Sequence, residues 1–235
     1  MPAGRTGRLA AVREDGPVPE IRPYRAADRD QVARICLLTA AGGGDATGVY
    51  SDDTLMPEVF ALPYVEYAPE LAFVVADGDR VLGYVIGVAD TAAFVEWWER
   101  EWGPAFATRH PSPGAPTGHE PDFTEAQLIE AGTAPERMLI AELAEYPAHL
   151  HIDLLPELQG RGFGRRLIDT LRDALAARGV PAVHLGMDAA NTGARAFYDR
   201  LGFHELPSSR TGSPLLGIAT TDASDATATG SAVSE

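Results

Sequence analysis

One segment, residues 149–178, constrains the fold more than any other part of the chain. An apolar run from His149 to Leu155 predicts a β-strand, a turn rich in glycine and arginine follows, and helical periodicity then continues to Arg178. Such a turn places unpaired backbone N–H groups at the positive end of a helix, where a phosphate or pyrophosphate is held well. The alternative is an ordinary strand–turn–helix connection without a ligand, and the turn alone does not decide between them.

The spacing of the glycines distinguishes between classes of phosphate-binding loop. Starting at Gln159, the loop has the pattern Gln-x-x-Gly-x-Gly, whose glycines are Gly162 and Gly164. It lacks the Gly-x-Gly-x-x-Gly pattern of dinucleotide folds and the Gly-Lys-Ser/Thr ending of a P-loop. The pattern resembles motif A of the GNAT family of acetyl-coenzyme A-dependent N-acetyltransferases. In that family the motif lies between strand 4 and helix 3 and wraps the pyrophosphate of the cofactor.

A second segment, residues 191–203, occurs downstream in the order that this family has. Asn191 is a favourable helix N-cap and Gly202 a favourable helix stop, so the segment predicts a short capped helix with a buried aromatic face. Taken alone, that structural interpretation is sufficient. The segment also resembles the GNAT pattern Asn-x-x-Ala-x-x-Phe-Tyr…Gly-Phe, and two motifs in the right order favour a GNAT fold.

The resemblance implies an α/β (α+β) GNAT fold with a central, mixed, mostly antiparallel twisted sheet. Strands 4 and 5 are parallel and splayed in this fold, and helices flank both faces. The expected cofactor is acetyl-CoA, whose pantetheine arm pairs with strand 4. The positions implied to bind it are Leu154, Leu155, Gln159, Gly160, Arg161, Gly162, Phe163, Gly164, Arg165, Asn191, Ala194 and Tyr198.

Residues 58–206 further resemble the acetyltransferase-like C-terminal domain of O-GlcNAcase. The resemblance rests on separate blocks at 67–75, 83–87, 94–102 and 151–156. Because the cofactor loop that the animal versions of that domain have lost is intact here, the resemblance implies a bacterial-type relative that binds acetyl-CoA.

Length and composition predict one domain between two tails. The chain has 235 residues, of which 45% are hydrophobic, and this is enough for one sizeable core. Residues 1–19 and 207–235 are expected to be disordered tails around a GNAT domain at 20–206. A helical insertion at about 91–145 is the expected source of acceptor specificity or of a homodimer contact.

Charge and cysteine content limit the partners and the compartment. A formal net charge of -15 argues against nucleic acid and anionic membranes as partners. The single cysteine, Cys36, lies in an apolar helical pattern and is expected to be a buried thiol in a reducing, cytoplasmic compartment. The six histidines show no metal-ligand spacing, so no metal site is expected.

The candidate catalytic residues lie in strand 4 and in the second motif. Tyr198 matches the tyrosine that protonates the leaving thiolate in the family. His149, His151 and Asp153 alternate onto one face of strand 4, and the sequence does not decide which of them is the base. Weaker candidates for the base are Asp90 and Glu142. In histone-type relatives the base is a strand 4 glutamate, and Ala148 stands at that position here.

Two functions follow from this pattern. The first is an N-acetyltransferase that transfers the acetyl group directly to an unidentified amine, either a small amine or a protein lysine or N-terminus. The second is a catalytically weak or inactive acetyl-CoA sensor, which the resemblance to O-GlcNAcase and the missing strand 4 acid favour.

Overall fold

The computed structural model describes residues 19–113 and 124–221. Within them one seven-stranded sheet has the strand order β1-β2-β3-β4-β5-β7-β6. The strands are β1 (Glu20–Pro23), β2 (Ala72–Asp77), β3 (Arg80–Val88), β4 (Ala148–Leu154), β5 (Ala182–Gly186), β6 (His204–Glu205) and β7 (Leu215–Ala219).

The sheet is antiparallel except where β4 and β5 run side by side. The parallel pairing covers only two positions, Ala148 with Val183 and His149 with His184, and then stops. On its other edge β4 pairs with β3 from His149 to Leu154. Beyond His149, therefore, one edge of β4 has no strand partner among the described residues, and the predicted splay between strands 4 and 5 is confirmed.

Helices flank both faces of this sheet. The α-helices are α1 (Arg29–Thr39), α2 (Leu55–Phe60), α3 (Leu62–Tyr67), α4 (Thr91–Trp97), α5 (Gly103–Arg109), α6 (Glu125–Thr133), α7 (Phe163–Ala176) and α8 (Thr192–Leu201). Helix α7 lies against β2, β3 and β4, and at Gly87 the absence of a side chain leaves room for Leu171, which a Cβ would meet at 3.1 Å. The opposite face of β3 carries the fully buried Tyr84 and is covered by α1 and α3. The GNAT architecture expected from the motifs is confirmed.

The predicted helical insertion begins as one nearly continuous helical run. Helix α4 continues through a π-helical turn, Trp98–Trp102, into α5. The indole N–H of Trp98 donates to the Gly132 carbonyl at 2.8 Å, and that of Trp102 donates to the Glu58 carbonyl at 3.0 Å. Both side chains are buried, so this aromatic cluster belongs to the core.

Three details of the sequence interpretation need correction. Within the insertion predicted to be helical, residues 135–144 contain a single 3₁₀ turn, Pro135–Met138, because the backbone turns extended at Leu139 (φ -77°, ψ 113°). The segment 55–67, for which no element was predicted, forms α2 and α3. The tail expected from residue 207 contains β7, which joins β5 and β6 and buries Leu216. The predicted N-terminal tail and the last part of the predicted C-terminal tail fall on residues 1–18 and 222–235. These residues and residues 114–123 lie outside the described residues.

Candidate active site

A groove of about 660 Å³ opens where the second half of β4 meets the glycine-rich loop. The N-terminal end of α7 and one face of α8 complete its walls. The groove is lined by residues predicted to bind the cofactor. Among them are Leu154, Gln159 and Gly160 of β4 and its loop, and Asn191 and Ala194 of the second motif. The two motifs, separate in sequence, therefore form one cavity.

The loop backbone leaves this groove open at its glycines. Gly160 and Gly162 have φ values of +71° and +80°, in the left-handed region that favours glycine. A Cβ built at either position meets no atom within 4 Å, so a side chain there would project into free space rather than into protein. Gly162 is the N-cap of α7 and receives no side-chain cap.

The first turn of α7 presents unpaired donors at this end of the groove. The backbone N–H groups of Phe163, Gly164 and Arg165 have no acceptor among the described residues, as expected for the start of a helix without a capping side chain. Arg165 and Arg200 line the groove nearby, and neither is in an ion pair within the described part of the chain. Backbone donors, the helix dipole and guanidinium charge thus all favour an anion here.

Gly164 serves a different purpose from the two loop glycines. A Cβ at this position would lie 3.0 Å from the ring of Phe197, so the glycine permits close packing of α7 against α8. Helix α8 is fixed at its start by Asn191, whose side chain accepts a hydrogen bond from the Ala194 N–H at 3.0 Å. The second motif therefore builds the far wall of the groove.

Tyr198 and Asp153 lie deep in the same groove. The Asp153 carboxylate accepts a hydrogen bond from the Tyr84 hydroxyl at 2.5 Å, and burial raises the pKa of Asp153. Burial, with a smaller contribution from Asp153, also raises the pKa of Tyr198, so this phenol is protonated at neutral pH. The Tyr198 hydroxyl has no hydrogen-bond partner among the described residues. Every fully buried side-chain oxygen among the described residues has a hydrogen-bond partner. Because this hydroxyl has none, it is not fully buried, and solvent reaches it.

A second pocket, of about 420 Å³, lies on β4 directly before the groove. His149 and His151 line it together with Tyr64 of α3 and Arg137 of the 3₁₀ turn. His151 and its neighbour Ile152 line different cavities, so β4 passes between the two. We call the first cavity the glycine groove and the second the histidine pocket.

The histidine pocket contains a continuous chain of side-chain hydrogen bonds. The Thr91 hydroxyl donates to the Pro147 carbonyl at 2.7 Å and lies 2.8 Å from His149 Nδ1. The Tyr64 hydroxyl lies 2.8 Å from His149 Nε2 and 3.0 Å from His151 Nε2. Each hydroxyl has one hydrogen, which fixes the direction of every bond.

Because the Thr91 hydrogen is used at a carbonyl, His149 must donate from Nδ1 to the Thr91 oxygen. Burial lowers the pKa of His149 well below its ordinary value, so the ring is neutral and its Nε2 is an acceptor. Tyr64 therefore donates to His149 and accepts from the Nε2–H of His151. The tautomer assigned in this way leaves the lone pair of His151 on Nδ1.

His151 is consequently a neutral imidazole with one free acceptor. Burial, with a smaller effect of Arg137, lowers its pKa to about 3. Its Nδ1 has no hydrogen-bond partner among the described residues. Every fully buried side-chain nitrogen there does have a partner, so Nδ1 is not fully buried and solvent reaches it. Aromatic rings hold the pair in place: Phe94 lies 5.7 Å from the His149 ring and Phe60 lies 5.8 Å from the His151 ring, between centroids.

A family model described as the acetyltransferase (GNAT) family matches residues 45–203, which is more than half of the chain. The chain belongs to the GNAT acetyltransferase family. Its members are acyltransferases for which acetyl-CoA is the usual cosubstrate.

Two relatives and one solved structure show how far this similarity extends. Rat O-GlcNAcase is 22% identical over 188 residues, which are 79% of this chain and 20% of that protein, so the chain spans about a fifth of the length of the curated relatives that it matches first. The [ribosomal protein bS18]-alanine N-acetyltransferase of Escherichia coli strain K12 is 39% identical over 83 residues, 35% of this chain and 56% of that one. A crystal structure titled SsHAT is 49% identical, covers 88% of this chain and 100% of its own, and superposes with a TM-score of 0.79.

The structure brings most of the sequence-predicted GNAT residues into the two cavities. The glycine groove is lined by nine of the twelve residues predicted to bind the cofactor, Tyr198 among them, whereas Leu155, Arg161 and Phe163 are not among its lining residues. The groove also receives Asp153, which is thereby separated from the two histidines. The weaker base candidates have structural roles instead: Asp90 caps α4 by accepting from the Ala93 N–H, and Glu142 accepts from Ser208.

Sequence reasoning missed Tyr64, Thr91 and Arg137. Each is a single residue in an element that carries no motif, and only packing places it beside β4. Among the described residues no group of His, Cys, Asp or Glu is arranged to hold a metal ion. None of the helices described is long and apolar enough to cross a membrane.

Proposed function

We propose that this GNAT protein is an N-acetyltransferase that binds acetyl-CoA in the glycine groove and acetylates an amine that enters through the histidine pocket. The observation that carries the proposal is the division of β4 between two cavities, between His151 and Ile152, shortly after its pairing with β5 ends at His149. Ile152 and Leu154 line one cavity, and Leu150 and His151 line the other. Two reactants approaching from these cavities would meet at the free edge of β4.

The residues of the glycine groove fit a coenzyme A molecule. Three features suit a pyrophosphate: the free N–H groups at the start of α7, the open glycine backbone, and Arg165, which is in no ion pair in the described part of the chain. The unpaired edge of β4 suits an extended amide-bearing arm, which could add to the sheet as another strand does. When bound, acetyl-CoA supplies an acetyl group activated as a thioester.

Tyr198 is the residue of the glycine groove placed to donate a proton. Its raised pKa keeps the phenol protonated at neutral pH, and its hydroxyl has no internal acceptor to compete for the hydrogen. A hydroxyl with these properties can stabilise a developing thiolate by donating a hydrogen bond to it.

His151 is the residue of the histidine pocket placed to accept a proton. The hydrogen-bond chain from Pro147 fixes its free lone pair on Nδ1, which solvent reaches. If Nδ1 takes a proton from the attacking amine, the Nε2 hydrogen can shift to Tyr64 while the Tyr64 hydrogen shifts to His149. Charge would then be shared between two imidazoles rather than held on one buried ring.

A catalytically weak or inactive acetyl-CoA sensor is the second candidate. The pKa of His151, about 3, favours it, because an imidazole this reluctant to bind a proton is a poor base near neutral pH. Both candidates share the glycine groove and differ only in what the histidine pocket does.

The experiment that separates them is calorimetric titration with acetyl-CoA followed by a free-thiol release assay over a panel of amines. Binding with saturable thiol release supports the transferase. Binding without release across the panel supports the sensor. Absence of binding contradicts both.

A further inference from the structure

Arg137 forms one wall of the histidine pocket and is held there by its own contacts. It lies in the 3₁₀ turn Pro135–Met138, and its Nε–H donates to the Ala131 carbonyl at 3.0 Å. The guanidinium carbon lies 5.5 Å from the centre of the Phe60 ring, whose edge meets the ring of His151. One aromatic ring thus separates the guanidinium from the imidazole with the free lone pair.

The remaining guanidinium donors face no acidic partner. Apart from the Ala131 carbonyl and the Phe60 ring, Arg137 contacts no hydrogen-bond or ion-pair partner in the described part of the chain. Arg137 is an exposed residue, so solvent reaches its terminal N–H groups. Asp188 also lines the pocket, but its carboxylate accepts from the Ala190 N–H of its own turn.

Arg137 is thus a cation without an acidic partner among the described residues, in a chain whose net charge is -15. Its effect extends across the pocket, because its charge contributes to the lowered pKa values of both His149 and His151. Arg22 illustrates the contrast: its guanidinium is paired with Asp28 at 2.7 Å. A guanidinium with two free N–H groups presents a planar fork that matches the two oxygens of a carboxylate.

The size and walls of the pocket favour a small acceptor. Its volume of about 420 Å³ is in the usual range for sites that enclose small molecules. Met138, Ile140 and Leu185 add apolar surface to its lining.

We infer that the acceptor is a small amine that also carries a carboxylate, with Arg137 binding the carboxylate and His151 facing the amine. This inference rests on the proposed function, since it assigns a substrate class to the same pocket. Arg137 is then a specificity-determining residue: it selects among amines and takes no part in the transfer of protons.

The test compares acceptors that differ only at the carboxylate. Leucine, leucinamide and isoamylamine are assayed by thiol release with the wild type and with Arg137→Met, Arg137→Lys and, as a control outside both cavities, Arg100→Met. A bidentate pair with a carboxylate predicts a kcat/KM for leucine about 30-fold above that of the two uncharged analogues. R137M should remove this preference by lowering the value for leucine alone, R137K should keep part of it, and R100M should keep all of it.

Equal use of the three acceptors by the wild type would overturn the inference, as would an R137M variant that loses activity on all three alike. A stronger preference for phosphoethanolamine than for leucine would also overturn it, in favour of a phosphate-bearing acceptor.

Failure of the proposed function can be distinguished from failure of this inference about the acceptor. If acetyl-CoA binds but no amine releases thiol, the transferase proposal fails, and calorimetric binding of leucine to the wild type and to R137M decides the inference by itself. Leucine binding that R137M abolishes supports it, and leucine binding that is absent or unchanged contradicts it.

Discussion

The two cavities beside β4 are built in opposite ways. The anion-binding end of the glycine groove is made of backbone, from the loop after β4 and the first turn of α7, and N–H groups supply its donors. The histidine pocket is made of side chains brought together from α2, α3, the 3₁₀ turn, β4 and β5. The first is encoded by a few neighbouring residues, and the second depends on the packing of the whole domain.

This difference matches a division of labour that suits a GNAT protein. A backbone cradle recognises a group that every cofactor molecule carries, so it needs glycines more than particular side chains. A pocket of separate side chains can be altered at one position without disturbing the cradle. Substitutions in the glycine backbone of the cradle should therefore change cofactor binding, and substitutions in the pocket should change turnover and acceptor choice.

The largest effect is expected from a side chain in the cradle. Gly162→Leu would place a side chain in the space in front of the free N–H groups, and we expect acetyl-CoA to bind about 1,000-fold more weakly, as measured by calorimetry. Gly179→Leu is the matched control, because Gly179 also has a left-handed φ, +74°, with no atom near its Cβ position. Both variants carry similar backbone strain, so equal loss of acetyl-CoA binding in the two would contradict the proposal that the loop backbone at Gly162 holds the cofactor.

Removal of the groove hydroxyl should affect turnover without affecting cofactor binding. For Tyr198→Phe we expect kcat to fall about 100-fold while the Kd for acetyl-CoA changes by less than about threefold, because the proton donor is lost and the packing ring is kept. Tyr146→Phe is the control, since that hydroxyl lies outside both cavities and bonds to His204. An unchanged kcat in Y198F would show that this phenol only packs.

The neutral histidines should make the fold sensitive to acid. The pKa of His151 is about 3 in the native protein, against an ordinary value near 6.5, so below pH 6.5 the unfolded chain binds a proton that the native protein does not. Stability is thus complete above pH 6.5 and falls as the pH drops toward 3. Between pH 6.5 and 5 the unfolding free energy of the wild type should fall by about 2 kcal/mol more than that of His151→Gln, as measured by urea unfolding.

The control for this measurement is His204→Gln, which changes an exposed histidine outside the pocket. Its stability should depend on pH as that of the wild type does. Parallel curves for the wild type and H151Q would mean that His151 is not held neutral.

The smallest effect is expected from breaking the hydrogen-bond chain at its centre. Tyr64→Phe leaves His151 Nε2 without an acceptor and frees its tautomer, so we expect kcat to fall about tenfold at an unchanged Kd for acetyl-CoA. Tyr67→Phe in the same helix is the control, because that ring packs on Phe94 and its hydroxyl has no partner among the described residues. Equal kcat values for Y64F and Y67F would show that the hydrogen-bond chain plays no part in turnover.

The same contrast explains how much could be predicted from the sequence. The loop at Gln159–Gly164 and the helix starting after Asn191 are local patterns with a direct physical meaning. They predicted the anion-binding turn and the capped helix, and the family resemblance that they carry implied the splayed strands. The strand β7 was missed because five apolar residues, Leu215–Ala219, stand in a stretch rich in small and polar residues, and only pairing with β5 makes them a strand.

The histidine pocket could be predicted only in part. Strand alternation placed His149 and His151 on one face, but it placed Asp153 there as well, and the structure puts that carboxylate in the other cavity beside Tyr84. Tyr64 and Arg137 belong to short helical turns whose sequences give no sign of a site. Their roles follow from distances across the fold, which no local pattern contains.

The central claim is that the glycine groove and the histidine pocket meet at the free edge of β4. A crystal structure of the protein with coenzyme A tests it most directly. The account predicts that the pyrophosphate lies on the N–H groups of the first turn of α7 and that the thiol lies between the Tyr198 hydroxyl and His151. A thiol directed away from the gap between β4 and β5, or a pyrophosphate bound elsewhere, would contradict it.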